Sequence, residues 1–240
     1  MTRQKLMLTL YESLPLDKLH EVLSRIPTKI PMNGEASLEV SQTRSGKTIY
    51  TIHGQHYSSE ALRLMHEEIR PKAERNPNNW LFLVEGSPTG DIPEVIYGYM
   101  LGRKLRIPTE NPIKDPYNKE VVERAIESGM KPEDVYLTLS VNMLQVIPNL
   151  DQVVNGLSEM WDISPSYLRG LITCLSWESQ TNPEFIRKKK EEFKRIRNQI
   201  DRISNDLSSQ ELDKIVGKYQ DRNNVFAYLG GNHKEILDRV

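Results

Sequence analysis

Three segments of this sequence place glycine next to a side chain that can bind a metal ion or move a proton. Residues 51–56 form a β-rich run that stops at Gly54 and then presents His56. A second β-rich run, residues 225–229, stops at a glycine pair and then presents His233. Between them, the apolar run of residues 80–84 leads directly into Glu85. Imidazole and carboxylate groups together suit Zn²⁺, Mn²⁺, Fe²⁺ or Co²⁺.

The position of these residues after apolar runs predicts that they meet. In open α/β sheets, ligands bind beyond the carboxyl ends of parallel strands. If the three runs are parallel strands of one sheet, His56, Glu85 and His233 emerge at the same edge and form a metal site. The alternatives are that Glu85 forms a salt bridge with a nearby Lys or Arg, and that the histidines are polar loop residues.

Two further residues near this edge are candidates for the same cleft. His53 lies within its strand and either faces the cleft or points into the core, whereas Tyr57 follows His56 and offers a phenol. Glu94 is a candidate general base. It also stands three residues after Asp91, so a capping box at a helix start is at least as good an explanation.

Arg197 is the remaining candidate, and it lies far along the chain. It neighbours an apolar stripe that includes Phe193 and Ile200, so its guanidinium could reach inward. A buried guanidinium suits a carboxylate or an oxyanion. The alternative is an exposed helix residue.

The elements that must position these residues alternate between strand and helix. A hairpin is predicted around residues 38–52, and residues 48–110 then alternate strand and helix, which favours parallel βαβ units. Residues 117–218 read almost entirely as helix. The sequence therefore predicts an α/β fold: a central, mostly parallel sheet flanked by helices, with a large all-helical insertion. Residues 1–32 are predicted to form an N-terminal helical arm, and residues 33–240 the α/β domain.

The long charged segment of residues 183–207 carries a narrow apolar stripe at heptad-like spacing. The stripe predicts an amphipathic helix packed on the core, and a homodimer through this helix is the alternative. Cys174 lies in an apolar helical stretch, and we expect it to be a buried, inert thiol.

The composition excludes several classes of protein. The chain has 240 residues, a net charge of −1 and one cysteine, so no global field attracts nucleic acid or anionic lipid, and no intrachain disulfide can form. Its apolar runs are too short to span a bilayer or to form a signal-peptide core. We expect a cytoplasmic protein that binds neither nucleic acid nor membrane and acts on a small-molecule or peptide substrate.

The motifs resemble those of the TIKI/TraB superfamily, which includes erythromycin-esterase-like and ChaN-like proteins. That family pairs an early glycine-and-histidine motif with a late Gly-x-x-His, matched here by residues 230–233. Its second strand ends in a glutamate that resembles Glu85, its next helix begins with one that resembles Glu94, and a late arginine resembles Arg197. The early motif departs from Gly-x-x-His, because residues 53–56 read His-Gly-Gln-His.

The resemblance implies an α/β fold with a helical insertion and a divalent-metal site. The leading hypothesis is a metal-dependent hydrolase of ester or amide bonds, in which His56, Glu85 and His233 line the metal site. Glu94 or Glu85 would take a proton as general base, and Arg197 would stabilise the oxyanion. The alternative is a metal- or haem-binding or interaction protein of the same fold without catalysis.

Overall fold

The computed structural model describes residues 3–26, 35–43, 46–54, 56–88, 90 and 92–229. The chain divides into two compact units. One comprises residues 1–113 together with 209–240, and the other comprises residues 114–208. We describe them in turn as the first and second units.

Five strands of the first unit form one sheet. They are β1 (Ala36–Gln42), β2 (Thr48–Gly54), β3 (Trp80–Val84), β4 (Thr109–Glu110) and β5 (Asn224–Tyr228). Their order across the sheet is β1-β2-β5-β3-β4. β1 and β2 are the predicted antiparallel hairpin, and the pairs β2–β5, β5–β3 and β3–β4 are parallel. The prediction of an α/β fold with a mostly parallel central sheet is confirmed.

The described helices lie in the regions for which the sequence predicts helix. They are α1 (Arg3–Ser13), α2 (Leu16–Ser24), α3 (Ser59–Leu64), α4 (Arg70–Arg75), α5 (Pro93–Leu105), α6 (Lys119–Glu127), α7 (Pro132–Val146), α8 (Leu150–Trp161), α9 (Pro165–Thr181) and α10 (Pro183–Lys218). A π-helical segment, Met65–Ile69, joins α3 to α4, and a 3₁₀ turn, Pro77–Asn79, precedes β3. The helix expected at residues 233–240 lies outside the described residues.

The strands β3 and β5 are buried on both faces of the sheet, and their alternate side chains enter two different cores. On one face, Phe82 and Tyr228 join residues of α2, α3 and α5. On the other face, Leu83 and Val225 pack with Leu212 from the end of α10. Such continuous apolar strands are what a parallel sheet covered by helices requires.

Two local signals place the helices that flank the candidate site. Pro15 separates α1 from α2, and Leu19 and Leu23 of α2 are fully buried in the same core as α5. Ser58 caps α3, since its side chain accepts a hydrogen bond from the backbone N–H of Ala61 at 3.1 Å. The buried face of α2 therefore packs into the core of the first unit.

The second unit consists of α6 to α9 and the part of α10 up to residue 208. Its helices enclose a core of their own, in which Val135, Leu157, Trp161, Leu168 and Ile200 are buried. None of the described helices could span a lipid bilayer, because none combines sufficient length with sufficient apolar character.

Cys174 differs from the prediction of a buried thiol, because its side chain is exposed. The buried positions of α9 are Leu168 and Ile172, one helical turn apart. Cys174 is two positions beyond Ile172, which turns it to the opposite side of the helix. The apolar stretch was a correct signal for a helix but did not identify which face is covered.

Candidate functional site

The carboxyl ends of β2, β5 and β3 lie level with one another at one edge of the sheet. Tyr228, the last residue of β5, pairs with Ile52 on one side and with Val84 on the other. Glu85 directly follows Val84, and its backbone N–H donates to the carbonyl of Tyr228 at 3.0 Å. His56 lies two residues beyond the end of β2. The strand order thus brings His56 and Glu85 to the same edge, whereas His233 lies outside the described residues.

Glu94 is the most enclosed charged residue of this edge. It lies in the first turn of α5 and is 0% exposed. Its Oε1 accepts from the Tyr228 hydroxyl at 2.9 Å and from the Ser58 backbone N–H at 3.2 Å. Its Oε2 is buried and has no hydrogen-bond partner among the described residues. The start of a helix favours negative charge, so α5 itself helps to hold this carboxylate.

The capping-box explanation of Glu94 involves Asp91, which lies outside the described residues. Both described partners of Glu94 belong to other elements, namely β5 and the segment before α3. The carboxylate therefore connects α5 to the carboxyl edge of the sheet.

His56 presents a second buried atom without a partner. Its Nδ1 has no hydrogen-bond partner in the described part of the chain. Its ring lies edge-on to the Tyr228 ring, with centroids 6.1 Å apart and an interplanar angle of 73°. Imidazole nitrogen and carboxylate oxygen are groups that accept protons and bind metal ions. Two such atoms with unmet bonding capacity thus occur around one tyrosine.

Tyr228 was not predicted as a site residue, yet it contacts His56, Glu85 and Glu94. Burial raises the pKa of its phenol far above the usual value, and the charges of Glu94 and Glu85 raise it further. The hydroxyl therefore keeps its proton and donates a hydrogen bond to Glu94 Oε1. The signal in the sequence was the only hydroxyl in the apolar run of residues 225–229, since a buried tyrosine needs a partner for its O–H.

One residue between β2 and α3, Tyr57, has an uncommon backbone conformation. Tyr57 has a φ of 65°, in the left-handed region that a bulky residue rarely adopts. Its ring is half-buried. Strained backbone of this kind clusters at functional sites, and here it lies between His56 and Ser58.

His53 lies within β2, one residue before the strand ends. Its Nε2 lies 2.8 Å from Glu39 Oε2, which belongs to the neighbouring strand β1. The ring thus pairs across the hairpin and does not enter the core.

Arg197 belongs to the second unit. Its Nε donates to Asp201 Oδ1 at 2.8 Å, one turn further along α10. Its guanidinium also contacts Tyr117, as a hydrogen bond to the hydroxyl at 3.3 Å and over the ring at 5.5 Å from the centroid. The proposed role of Arg197 at an oxyanion stays a prediction.

The described residues include no group of three or more His, Cys, Asp or Glu side chains arranged to hold a metal ion. The predicted set of His56, Glu85 and His233 depends on a residue outside them, so the metal site stays a prediction. The sequence matches no protein-family model, no curated protein and no solved structure. The resemblance to the TIKI/TraB superfamily accordingly rests on the motifs alone.

Proposed function

We propose that the carboxyl edge of β2, β5 and β3 is the site of a divalent-metal-dependent hydrolase of ester or amide bonds. The observation that carries the proposal is the buried Glu94 carboxylate. One of its oxygens is held by two donors, and the other has no partner among the described residues. A carboxylate removed from water is costly unless a cation or a proton donor compensates it.

The chemistry of the available donors fits a divalent cation. His56, Glu85 and His233 would hold the ion, with the unpartnered Nδ1 of His56 as the described atom that supports this. A divalent cation held by these residues would lower the pKa of its bound water towards about 7, which would make hydroxide available at neutral pH.

The remaining residues of the edge would handle the proton. Glu94 would receive it on Oε2, because its Oε1 already accepts two hydrogen bonds. Burial of this carboxylate excludes bulk water, which strengthens its interactions with any charge that forms nearby. We do not extend the proposal to Arg197, since its guanidinium already pairs with Asp201.

The proposal also includes the helical insertion, the cellular location and the oligomeric state. The helices of residues 114–208 would be an insertion, since the first unit resumes at residue 209. A cytoplasmic location is supported by the single cysteine. A homodimer through residues 183–207 is the least supported, because Ile200 is buried within the second unit.

The test combines metal analysis with turnover. Protein purified without a nickel column is loaded with Mn²⁺ or Zn²⁺, analysed by mass spectrometry, and assayed on a panel of esters and peptides. We expect one metal ion per chain, lost in His56→Ala and in His233→Ala. Glu94→Gln should lower hydrolysis by about 10²–10⁴-fold at saturating metal, as removal of a general base does.

His53→Ala is the matched control, because His53 is a neighbouring histidine that pairs with Glu39. It should keep both metal and activity. Bound metal without turnover would favour the non-catalytic metal- or haem-binding alternative. A chain that binds no metal, and whose turnover is unchanged in all three site variants, would end the proposal.

A further inference from the structure

We propose that Tyr228 is the positioning residue of this site, which fixes the Glu94 carboxylate through Oε1 and leaves Oε2 for the ligand or the proton. This inference rests on the proposed function and concerns the same edge of the sheet. It goes beyond the motifs, because none of them includes Tyr228.

The direction of the hydrogen bond follows from the surroundings of the phenol. The Tyr228 side chain is fully buried, and its hydroxyl lies 2.9 Å from Glu94 Oε1. Oε1 also accepts from the Ser58 N–H, so the phenol O–H is the donor of this contact. Together with the Ser58 N–H it supplies two donors to Oε1, the oxygen on the same carboxylate as the unpartnered Oε2.

The place of Tyr228 in the fold suits it to hold the neighbouring site residues in position. It ends the central strand of the three that form the edge, and its backbone pairs with both neighbours. Its ring contacts His56, and its carbonyl accepts from the Glu85 N–H. A side chain on a strand inside a sheet is held more rigidly than one on a loop. Through Tyr228, one residue sets the geometry of three candidates.

A purely structural role is the competing explanation, and Tyr97 provides its matched control. Tyr97 is also fully buried, and its hydroxyl bonds His66 Nδ1 at 2.6 Å within the same unit. Removing that hydroxyl deletes a part-buried hydrogen bond whose partner, His66, is not a site candidate. A structural role predicts that Tyr228→Phe and Tyr97→Phe behave alike in metal binding.

The experiment titrates the metal-free full chain with Mn²⁺ by calorimetry, after thermal unfolding has shown that each variant folds. We expect Tyr228→Phe to bind Mn²⁺ about 10-fold more weakly, the scale on which outer-shell partners of a metal site act. Tyr97→Phe should bind within about 2-fold of the unaltered chain. The double variant Tyr228→Phe/Glu94→Gln should bind no more weakly than Glu94→Gln alone, because Tyr228 acts through Glu94.

Three results would overturn the inference. The inference is refuted if Tyr228→Phe binds Mn²⁺ as tightly as the unaltered chain. It is also refuted if the losses of Mn²⁺ affinity in the double variant are additive. In both cases the proposed function stands. If the unaltered chain binds no Mn²⁺, the proposed function itself fails and this inference fails with it. Should Tyr228→Phe not fold, Glu94→Asp replaces it: the shorter carboxylate cannot keep the 2.9 Å contact, and undiminished binding by that variant refutes the role of Tyr228.

Discussion

His56 Nδ1 and Glu94 Oε2 are buried polar atoms of a kind that folded proteins rarely leave unsatisfied. Thr138, Ser140 and Ser158 also have buried hydroxyls without partners among the described residues. A hydroxyl rotates freely, however, and a single internal water can satisfy it. A carboxylate and an imidazole around one tyrosine differ from these hydroxyls, because both exchange protons and bind cations. Residue chemistry therefore singles out the edge near Tyr228.

His20 and His66 form a stacked pair whose contribution to the stability of the fold depends on pH. His20 of α2 and His66 of the π-helical segment stack with ring centroids 4.2 Å apart. His66 Nδ1 bonds the Tyr97 hydroxyl, and its Nε2 lies 3.4 Å from Asp17. Burial lowers the pKa of both histidines, and for His66 the neighbouring His20 and Arg70 lower it further. Both rings are therefore held in the neutral form.

We expect the free energy of unfolding to fall as the pH is lowered from 7.5 to 5.5. The folded-state pKa of each ring lies below the unfolded value of about 6.5, so the unfolded chain takes up more protons in this range. The stabilising contribution is complete above about pH 6.5 and is lost below it. Urea unfolding at the two pH values measures the change, and His20→Gln/His66→Gln should reduce it.

His53→Gln is the control for this measurement, because it removes a histidine outside the stack. It should keep the pH dependence that the double variant loses. An unaltered pH dependence in His20→Gln/His66→Gln would show that other groups cause the effect.

The site residues could be predicted from sequence only where a strand end marked them. His56 and Glu85 follow β-rich runs, and the structure places both at one sheet edge. The enclosure of Glu94 depends on how α5 packs against β5, which lies more than a hundred residues later. Tyr228 could not be identified as a partner of Glu94 for the same reason, since spacing carries no information about packing between distant segments.

At the scale of elements, periodicity predicted the strands but not their order. The insertion of β5 between β2 and β3 follows from pairing across the whole chain. The π-helical segment at Met65–Ile69 could not be predicted from periodicity either, because its buried side chains form an apolar face like that of an ordinary helix. Helix α4 accommodates Pro71 because this residue occupies its first turn, where no N–H donor is needed.

The close approach of α5 to β4 depends on Gly102. A Cβ at this position would overlap Thr109 Oγ1 and lie 3.2 Å from Thr109 Cβ. Gly102→Ala should therefore destabilise the first unit by about 1–2 kcal/mol, because the overpacking exceeds the gain in helix propensity. Chemical denaturation of the two proteins measures the difference.

Gly170→Ala is the matched control in α9, where a new Cβ meets nothing within 4 Å. It should stabilise the chain by about 0.5–1 kcal/mol, since alanine is the better helix former at an open position. If both substitutions stabilise, α5 does not lie as close to β4 as the structure places it.

At the scale of the whole molecule, α10 contributes apolar residues to a core in each unit. Its apolar stripe allowed two interpretations from sequence, packing on a core of the same chain or a homodimer. The spacing showed that one side of the helix is covered, but not what covers it. In the structure Ile196, Ile200 and Leu207 are buried in the core of the second unit, together with residues of α6 to α9. Leu212 and Ile215, further along the same helix, belong to a core of the first unit.

Ile200→Asp distinguishes this packing from a homodimer seam. Ile200 is 0% exposed, so a carboxylate there should destabilise the second unit by more than about 3 kcal/mol. Trp161 reports on this unit and Trp80 on the first, each observed in a variant whose other tryptophans are phenylalanine. We expect the Trp161 transition to move to lower urea than the Trp80 transition. Val146→Asp, at a position 78% exposed, should change neither by more than about 0.5 kcal/mol. A fully stable Ile200→Asp chain with half the unaltered mass by light scattering would instead establish the dimer.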